Sequence, residues 1–195
     1  PCRYGQIVPI AEGMRVRFSD IGHLLGSACI EFWLQEGGIE KKIVFSGDVG
    51  NIDQPILNDP QPVAETDYLV VESTYGNRLH NKPKDVRAEL TDVLQRAFDR
   101  GGSVIIPAFA VGRTQELLYL LREIKQKKLV HGHDGFPVYL DSPLAEEATS
   151  VFLQCDTDCF DPETQEVLKS GQNPIWCPGL QLALTAEDSK AINSD

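Results

Sequence analysis

Three short segments, each placed at the end of a predicted strand, constrain the fold of this chain of 195 residues more than any other feature. In order they are GHLLGSA at residues 22–28, FSGD at residues 45–48 and VESTYG at residues 71–76. Two apolar-rich runs lie between the first two segments and meet at Gly37 and Gly38, a pattern that predicts a β-hairpin. Because a hairpin returns the chain to its start, His23 and Asp48 should emerge at the same end of a sheet.

The third segment extends this argument to Glu72. A strand over residues 68–71 ends at Glu72, and if it runs in the direction of the returning strand, the carboxylate reaches the same edge. Imidazole and carboxylate groups are suitable ligands for a divalent metal such as zinc, and a further carboxylate can orient or protonate reacting groups. Each segment alone also fits a simpler interpretation, a glycine-rich turn or a helix cap, so the prediction depends on the three together.

The apolar periodicity predicts an α/β chain in two parts. The first part is strand-rich, with strands over residues 6–10, 14–19, 28–36, 41–45 and 68–71 and a Pro-rich loop over residues 51–66. The second part alternates, with helices over residues 84–99, 112–127 and 143–153 and strands over residues 103–107 and 137–140. Such alternation is typical of βαβ units, so the second part should form a mainly parallel sheet flanked by helices.

Arg113 follows the first strand of the second part, where residues 106–116 read as a strand that leads into a helix. In an open parallel sheet, free amides at the helix start suit an anion, and Arg113 could add a charged fork for phosphate. A solvated arginine in a structural turn fits equally well. At residues 141–145, Ser142 as a helix N-cap followed by Pro143 is a sufficient explanation.

The charge distribution bears on partners. The net charge of −11 argues against a polyanionic partner. Residues 76–128, however, carry 11 basic and 6 acidic residues, whereas the rest of the chain carries 7 basic and 23 acidic residues. This basic block permits RNA binding, although a solvated helix face also explains it. No apolar stretch reaches the roughly 18 residues of a membrane span, so we expect a cytoplasmic protein without a membrane partner.

The remaining residues of metal-binding type carry no predicted chemistry. The five cysteines are odd in number, contain no C-x-x-C pair and are interpreted as small core residues. The sequence His131-Gly132-His133-Asp134 has a metal-like composition, but its glycine-rich context favours a solvated turn. His80 is left unassigned.

The three segments in this order resemble the third and fourth metal motifs of the metallo-β-lactamase superfamily, followed by the acidic motif that opens the β-CASP insertion of its nucleic-acid-processing branch. Residues 106–116 are similar to a β-CASP signature. The resemblance implies a partial metallo-β-lactamase αββα domain over residues 1–75 and a β-CASP domain over residues 76–195. It implies two zinc ions in the intact protein, with Asp48 bridging both and His23 binding one. Catalysis is assigned to Asp48 and Glu72.

The resemblance also implies an activity. Relatives similar to RNase J and the cleavage-and-polyadenylation endonuclease hydrolyse RNA phosphodiester bonds, and the phosphate-binding candidates here are Ser73 and Arg113. The chain contains neither H-x-H-x-D-H nor the family's downstream histidines, so we expect a central fragment that alone binds zinc weakly and is inactive.

Two other functions and one assembly stay open at this point. A non-catalytic RNA-binding or scaffold subunit of the same family also fits the missing ligands. A thioester hydrolase of the same fold is the other, and the β-CASP-like extension argues against it. Exposed sheet edges favour association, and a homodimer is one such assembly.

Overall fold

The computed structural model describes residues 2–79 and 85–192, which divide into two compact units. The first unit comprises the chain up to Leu79 together with Asp158–Pro162, and the second comprises the rest. The division lies close to the predicted boundary after residue 75, except for Asp158–Pro162. This segment joins the first unit because Asp161 accepts the backbone N–H of Ile56 at 2.9 Å and donates its own N–H to the Ile56 carbonyl at 2.9 Å.

The first unit is built on a five-stranded sheet in which the strands lie in chain order. The strands are β1 (Ile7–Ala11), β2 (Met14–Asp20), β3 (Ala28–Glu36), β4 (Ile39–Phe45) and β5 (Tyr68–Val70). Neighbouring strands are antiparallel up to β4, whereas β5 pairs with β4 in parallel. Every predicted strand of this part is confirmed, with small shifts at the ends.

The β3–β4 hairpin brings two predicted site segments to one edge. Gly37 and Gly38 both have positive φ, 58° and 80°, as the first and second residues of a type I′ turn require. Ile30 pairs with Phe45 near the open end of the hairpin, and Phe45 also pairs with Val70 of β5. The segments that follow β4 and β5 therefore start side by side, next to the segment that precedes β3.

One face of this sheet carries a buried charge network around Glu31, which is 0% exposed. Arg17 donates two hydrogen bonds to its carboxylate at 2.7 and 2.8 Å, Ser19 donates one at 3.0 Å, and the Lys42 ammonium lies 2.6 Å away. The same two cations lie over the ring of Trp33 at 5.5 and 5.3 Å. The buried carboxylate is thus fully satisfied by its neighbours, as a buried charge must be.

Beyond Leu79 the described residues form helices and a small sheet. The elements are α1 (Val86–Phe98), α2 (Arg113–Gln126), β6 (Val138–Leu140), α3 (Pro143–Gln154), a 3₁₀ turn (Thr157–Cys159), α4 (Pro162–Lys169), β7 (Leu180–Leu182) and α5 (Ala186–Ile192). Strands β6 and β7 pair in parallel. The core of the second unit forms where α1 and α2 meet the loop before β6, through Leu94, Leu121, Ile124, Val130 and Phe136.

These elements confirm the α/β fold class and correct one predicted strand. Helices α1, α2 and α3 match their predicted segments, although Lys84 lies outside the described residues. The strand predicted over residues 103–107 is wrong, because this segment pairs with no strand in the described part of the chain. Val104 packs against the core, while Ile105 is 90% exposed, so the segment has the alternation of a strand without its ladder.

The helix starts follow local sequence. Ser142 caps α3 by accepting the Ala145 N–H at 3.2 Å, with Pro143 at the first helical position, as predicted. Thr185 and Asp188 cap the start of α5 reciprocally at 3.1 and 2.9 Å. Among the helices that the structure describes, none is both long and apolar enough to cross a membrane.

Candidate active site

His23 lies in a turn between β2 and β3 that Ser27 organises. The Ser27 hydroxyl accepts the backbone N–H groups of His23 at 3.2 Å and Leu24 at 3.1 Å. The Ser27 N–H in turn donates to the Leu24 carbonyl at 2.9 Å. The imidazole is partly exposed and reaches solvent at the edge of the sheet.

Asp20 anchors the other side of this turn from the end of β2. Its buried carboxylate accepts the Gly22 N–H at 2.9 Å, and Gly22 has a φ of 64° that favours glycine. A side chain at Gly22 would also lie 2.8 Å from the Asn58 carbonyl. Burial raises the pKa of Asp20, while hydrogen bonds from Gly22, Asn58 and Ile21 oppose that effect. Asp20 therefore holds the turn that presents His23.

The segment that carries Asp48 is packed directly against the His23 turn through Gly50. The Gly50 N–H donates to the Ile21 carbonyl at 2.9 Å. A β-carbon at Gly50 would overlap the Gly22 carbonyl and lie 2.6 Å from the His23 nitrogen. Only glycine permits this approach of the two backbones.

This packing places the two predicted metal ligands face to face. The Nε2 atom of His23 lies 3.8 Å from the Oδ2 atom of Asp48, and both side chains are exposed, by 41% and 73%. An imidazole nitrogen and a carboxylate oxygen at this separation can both reach one ion with small rotamer adjustments, because zinc–nitrogen and zinc–oxygen bonds are each about 2 Å long.

Glu72 lies beside this pair at the end of β5. Its Oε1 atom accepts the Val49 N–H at 2.5 Å, and its Oε2 atom accepts the Thr74 hydroxyl at 2.7 Å. Its own N–H donates to the Ser46 hydroxyl at 3.1 Å. The Val49 N–H, then the Thr74 hydroxyl, lower the pKa of Glu72, and the nearby His23 adds to this effect. Glu72 is therefore an ionised carboxylate whose two oxygens are both held by ordered donors.

The described residues provide part of a metal site. His23 and Asp48 have the donor chemistry that zinc uses, but structural zinc sites use four protein ligands and catalytic sites at least three. Within residues 2–79 and 85–192, no group of three or more histidine, cysteine, aspartate or glutamate side chains is arranged to hold a metal ion. The donor set therefore fits a metal in type and falls short of it in number.

Ser73 lies in the turn that follows Glu72. The Gly76 N–H donates to the Ser73 carbonyl at 3.1 Å, and a β-carbon at Gly76 would lie 2.7 Å from the Ser73 hydroxyl. A shallow depression of about 300 Å³ opens here beside the site. Its lining consists of Val49, Val71, Glu72, Ser73, Thr74, Tyr75 and Gly76. The predicted phosphate contact at Ser73 is thus next to the metal-ligand pair.

Arg113 belongs to the second unit, at the first turn of α2. Its guanidinium is paired with Glu116 at 2.6 Å, so part of its charge is neutralised within the helix. His131 and His133 also lie in the second unit, in turns between α2 and β6, and His133 pairs with Asp99 at 3.1 Å. A phosphate contact at Arg113 stays a prediction.

Three positioning residues of the site were missed from the sequence: Asp20, Ser27 and Gly50. An aspartate that binds the backbone N–H two residues on is a known turn pattern, so a local signal existed for Asp20. Ser27 instead accepts N–H groups from three and four positions earlier, which that pattern does not cover. Nothing local marks Gly50, because its role depends on a backbone far away in sequence.

Comparison with known proteins gives one family match and many similar relatives. The family model described as Beta-Casp domain matches residues 114–195. The Thermus thermophilus protein named Ribonuclease TTHA0252 is 34% identical over 99% of this chain, which covers 42% of that protein. The Methanocaldococcus jannaschii RNase J-like protein is 34% identical over 85% of this chain and 38% of its own length. Cleavage and polyadenylation specificity factor 73 of Drosophila melanogaster is 36% identical over 71% of this chain, which covers 20% of that protein.

The chain thus spans less than half the length of each of these relatives. Two of their names denote ribonucleases, and the third denotes a cleavage factor.

Proposed function

Because this chain belongs to the β-CASP family of the metallo-β-lactamase superfamily, we propose that the protein containing it hydrolyses RNA phosphodiester bonds with the help of bound metal. The observation that carries the proposal is the 3.8 Å approach of His23 Nε2 to Asp48 Oδ2 at a solvent-exposed sheet edge. The ribonuclease names of the relatives support RNA as the substrate.

His23 and Asp48 are the residues that would hold the metal. Zinc is the proposed ion, because imidazole and carboxylate suit it and proteins of this family generally bind metal ions. The family resemblance implies two ions, and His23 and Asp48 would hold them together with further donors from outside the described residues. When bound, zinc supplies a Lewis acid for a phosphoryl oxygen and lowers the pKa of water.

Glu72 acts in this proposal by positioning the segment that carries Asp48. Each of its oxygens accepts one ordered hydrogen bond, from the Val49 N–H and from the Thr74 hydroxyl, and because these bonds lower the pKa of Glu72 they make it a weak proton acceptor. Holding a ligand segment in place is a recurrent role for a carboxylate next to a metal site.

The chain also offers contacts for the substrate backbone. The Ser73 hydroxyl lies in the depression next to Glu72 and can donate to a phosphate oxygen. Arg113 and the basic residues between residues 76 and 128 supply positive charge that favours a polyanion. Homodimer formation and a cytoplasmic location stay predictions from the sequence.

The test is cleavage of single-stranded RNA by the full-length protein that contains this chain. We expect cleavage that a chelator stops and zinc restores, and Asp48→Asn should lower it by about 100-fold or more, because the amide is a poor ligand. Asp53→Asn is the matched control, since Asp53 is an exposed aspartate in the same loop region and its carboxylate makes no contact that the structure describes.

Each outcome separates the proposal from its alternative. Equal loss in both variants would point to a damaged loop and not to a lost ligand. RNA binding without metal-dependent cleavage by the wild-type protein would instead favour a non-catalytic RNA-binding or scaffold subunit. Full activity of Asp48→Asn would contradict the assigned role of this carboxylate.

A further inference from the structure

The depression beside the site has an aromatic wall that the proposed function does not use. The Arg78 guanidinium carbon lies 4.3 Å from the centre of the Tyr75 ring, within the range of a cation–π contact. Two consecutive turns fix this pair, because the Gly76 N–H donates to the Ser73 carbonyl and the Arg78 N–H donates to the Tyr75 carbonyl, both at 3.1 Å. Tyr75 and Arg78 therefore form a stacked pair in a compact loop.

The rest of the depression is suited to a flat apolar group with polar edges. Val49 and Val71 contribute exposed apolar side chains to its lining, and Tyr75 contributes an aromatic ring that is half exposed. The Ser73 hydroxyl is the nearby polar group, and Glu72 connects this lining to the Asp48 segment through the Val49 N–H. A group bound here lies next to the proposed metal ligands.

We propose that Tyr75, backed by Arg78, stacks on an unpaired nucleobase adjacent to the phosphate being cleaved. This inference rests on the proposed function, since it names how the RNA substrate is held at the same site. Aromatic rings and guanidinium planes are the groups on which proteins stack splayed bases of single-stranded RNA. The cation also favours a nucleotide over an apolar peptide side chain, because a nucleotide carries phosphate.

The proposal predicts that binding requires the presence of a base but does not depend on which base it is. Every base has a π face, so stacking on Tyr75 should tolerate all four bases. A base within a duplex is already stacked on its neighbours and cannot enter the depression without unstacking. The site should therefore prefer single-stranded RNA.

The experiment measures binding with metal chelated, so that cleavage does not interfere. The full-length protein is titrated with fluorescein-labelled oligouridylate of about 12 nucleotides and with an abasic ribose-phosphate polymer of equal length. We expect Tyr75→Leu to raise the Kd for oligouridylate about tenfold and to leave the Kd for the abasic polymer within about twofold. Tyr75→Phe is the matched control that keeps the ring, and its Kd values should equal those of the wild type.

The outcomes distinguish this proposal from the one on which it rests. Equal weakening of both polymers by Tyr75→Leu would show that the ring supports the loop, and no weakening would show that it is not in contact; either result overturns base stacking while the nuclease proposal stands. Wild-type protein that binds neither polymer would overturn both. The melting temperature of each variant is measured alongside, and we expect Tyr75→Leu to weaken binding of oligouridylate without lowering the melting temperature.

Discussion

Glu72 accepts the backbone N–H of Val49 at 2.5 Å, and this bond fastens the segment that carries Asp48 to the end of β5. The second carboxylate oxygen accepts the Thr74 hydroxyl at 2.7 Å. The carboxylate therefore links the loop after β4 to the loop after β5, and both loops line the candidate site. A residue in this position can affect catalysis by positioning the loop that carries Asp48, without itself reacting.

The first prediction compares Glu72→Gln with Glu72→Ala in the full-length protein. The glutamine oxygen can still accept the Val49 N–H, whereas alanine loses both bonds, so only alanine should weaken metal affinity, by about tenfold or more. Zinc titration and RNA cleavage are measured for both variants. If Glu72→Gln retains zinc affinity and still loses cleavage as severely as Glu72→Ala, proton transfer by Glu72 replaces the positioning role.

The second prediction concerns Gly50→Ala. The added methyl group overlaps the Gly22 carbonyl, so the His23 turn and the Asp48 segment must separate, at a cost of about 1–3 kcal/mol. The melting temperature and the zinc affinity of the variant should both be lower than those of the wild type. Gly135→Ala is the control, because a β-carbon there meets no atom within 4 Å and its φ is not in the left-handed region. A wild-type zinc affinity in Gly50→Ala would contradict the argument.

The third prediction concerns stability at acidic pH. Burial alone would raise the pKa of Glu31, but hydrogen bonds from Arg17, Lys42 and Ser19 outweigh burial and lower it from 4.5 to about 2. Since the pKa is lowered on folding, the stabilisation is present above about pH 4.5 and is lost as pH falls toward 2. The lost free energy is roughly 3 kcal/mol.

Glu31→Gln tests this by urea unfolding at several pH values. At pH 7 the variant should be less stable by roughly 3 kcal/mol, and the difference should shrink as pH falls below 4.5. The control is Glu40→Gln, which removes a partly exposed pair with Arg15 and should cost less than about 1 kcal/mol. A pH-independent difference for Glu31→Gln would show that shape and not charge is responsible.

The fourth prediction concerns the proposed phosphate contact of Arg113. Arg113→Gln should weaken RNA binding and make the dependence of log Kd on log salt shallower by about one unit. Arg15→Gln is a control outside the basic block, because Arg15 is 44% exposed and paired with Glu40, as Arg113 is 61% exposed and paired with Glu116. The control should change stability by less than about 1 kcal/mol, because both side chains of its pair are partly exposed, whereas Arg113→Gln removes a partner of the buried Glu116 carboxylate, so the melting temperature of each variant is measured alongside. Equal salt slopes in the two variants would remove Arg113 from the interface.

Local sequence determined the elements of the first unit and the edge at which its site forms. The alternation along β3 and β4 and the Gly37-Gly38 turn are short-range signals. Because a two-residue turn fixes the register of the hairpin, they predicted that His23 and Asp48 lie at one edge, where the structure has them 3.8 Å apart. The caps of α3 and α5 were likewise readable, since the capping side chain and its N–H partner lie within one turn.

Tertiary structure alone decided what depends on distant partners. Residues 103–107 have the composition of a strand, but within residues 2–79 and 85–192 they pair with no other strand, and local sequence does not show whether a pairing strand is present. Asp161 binds the Ile56 backbone across 105 positions, and Gly50 packs on the Gly22–His23 peptide. Such contacts join backbones that are remote in sequence, and no local periodicity encodes them. The residue types in this chain thus set its candidate chemistry, while long-range packing set the distances at which that chemistry can act.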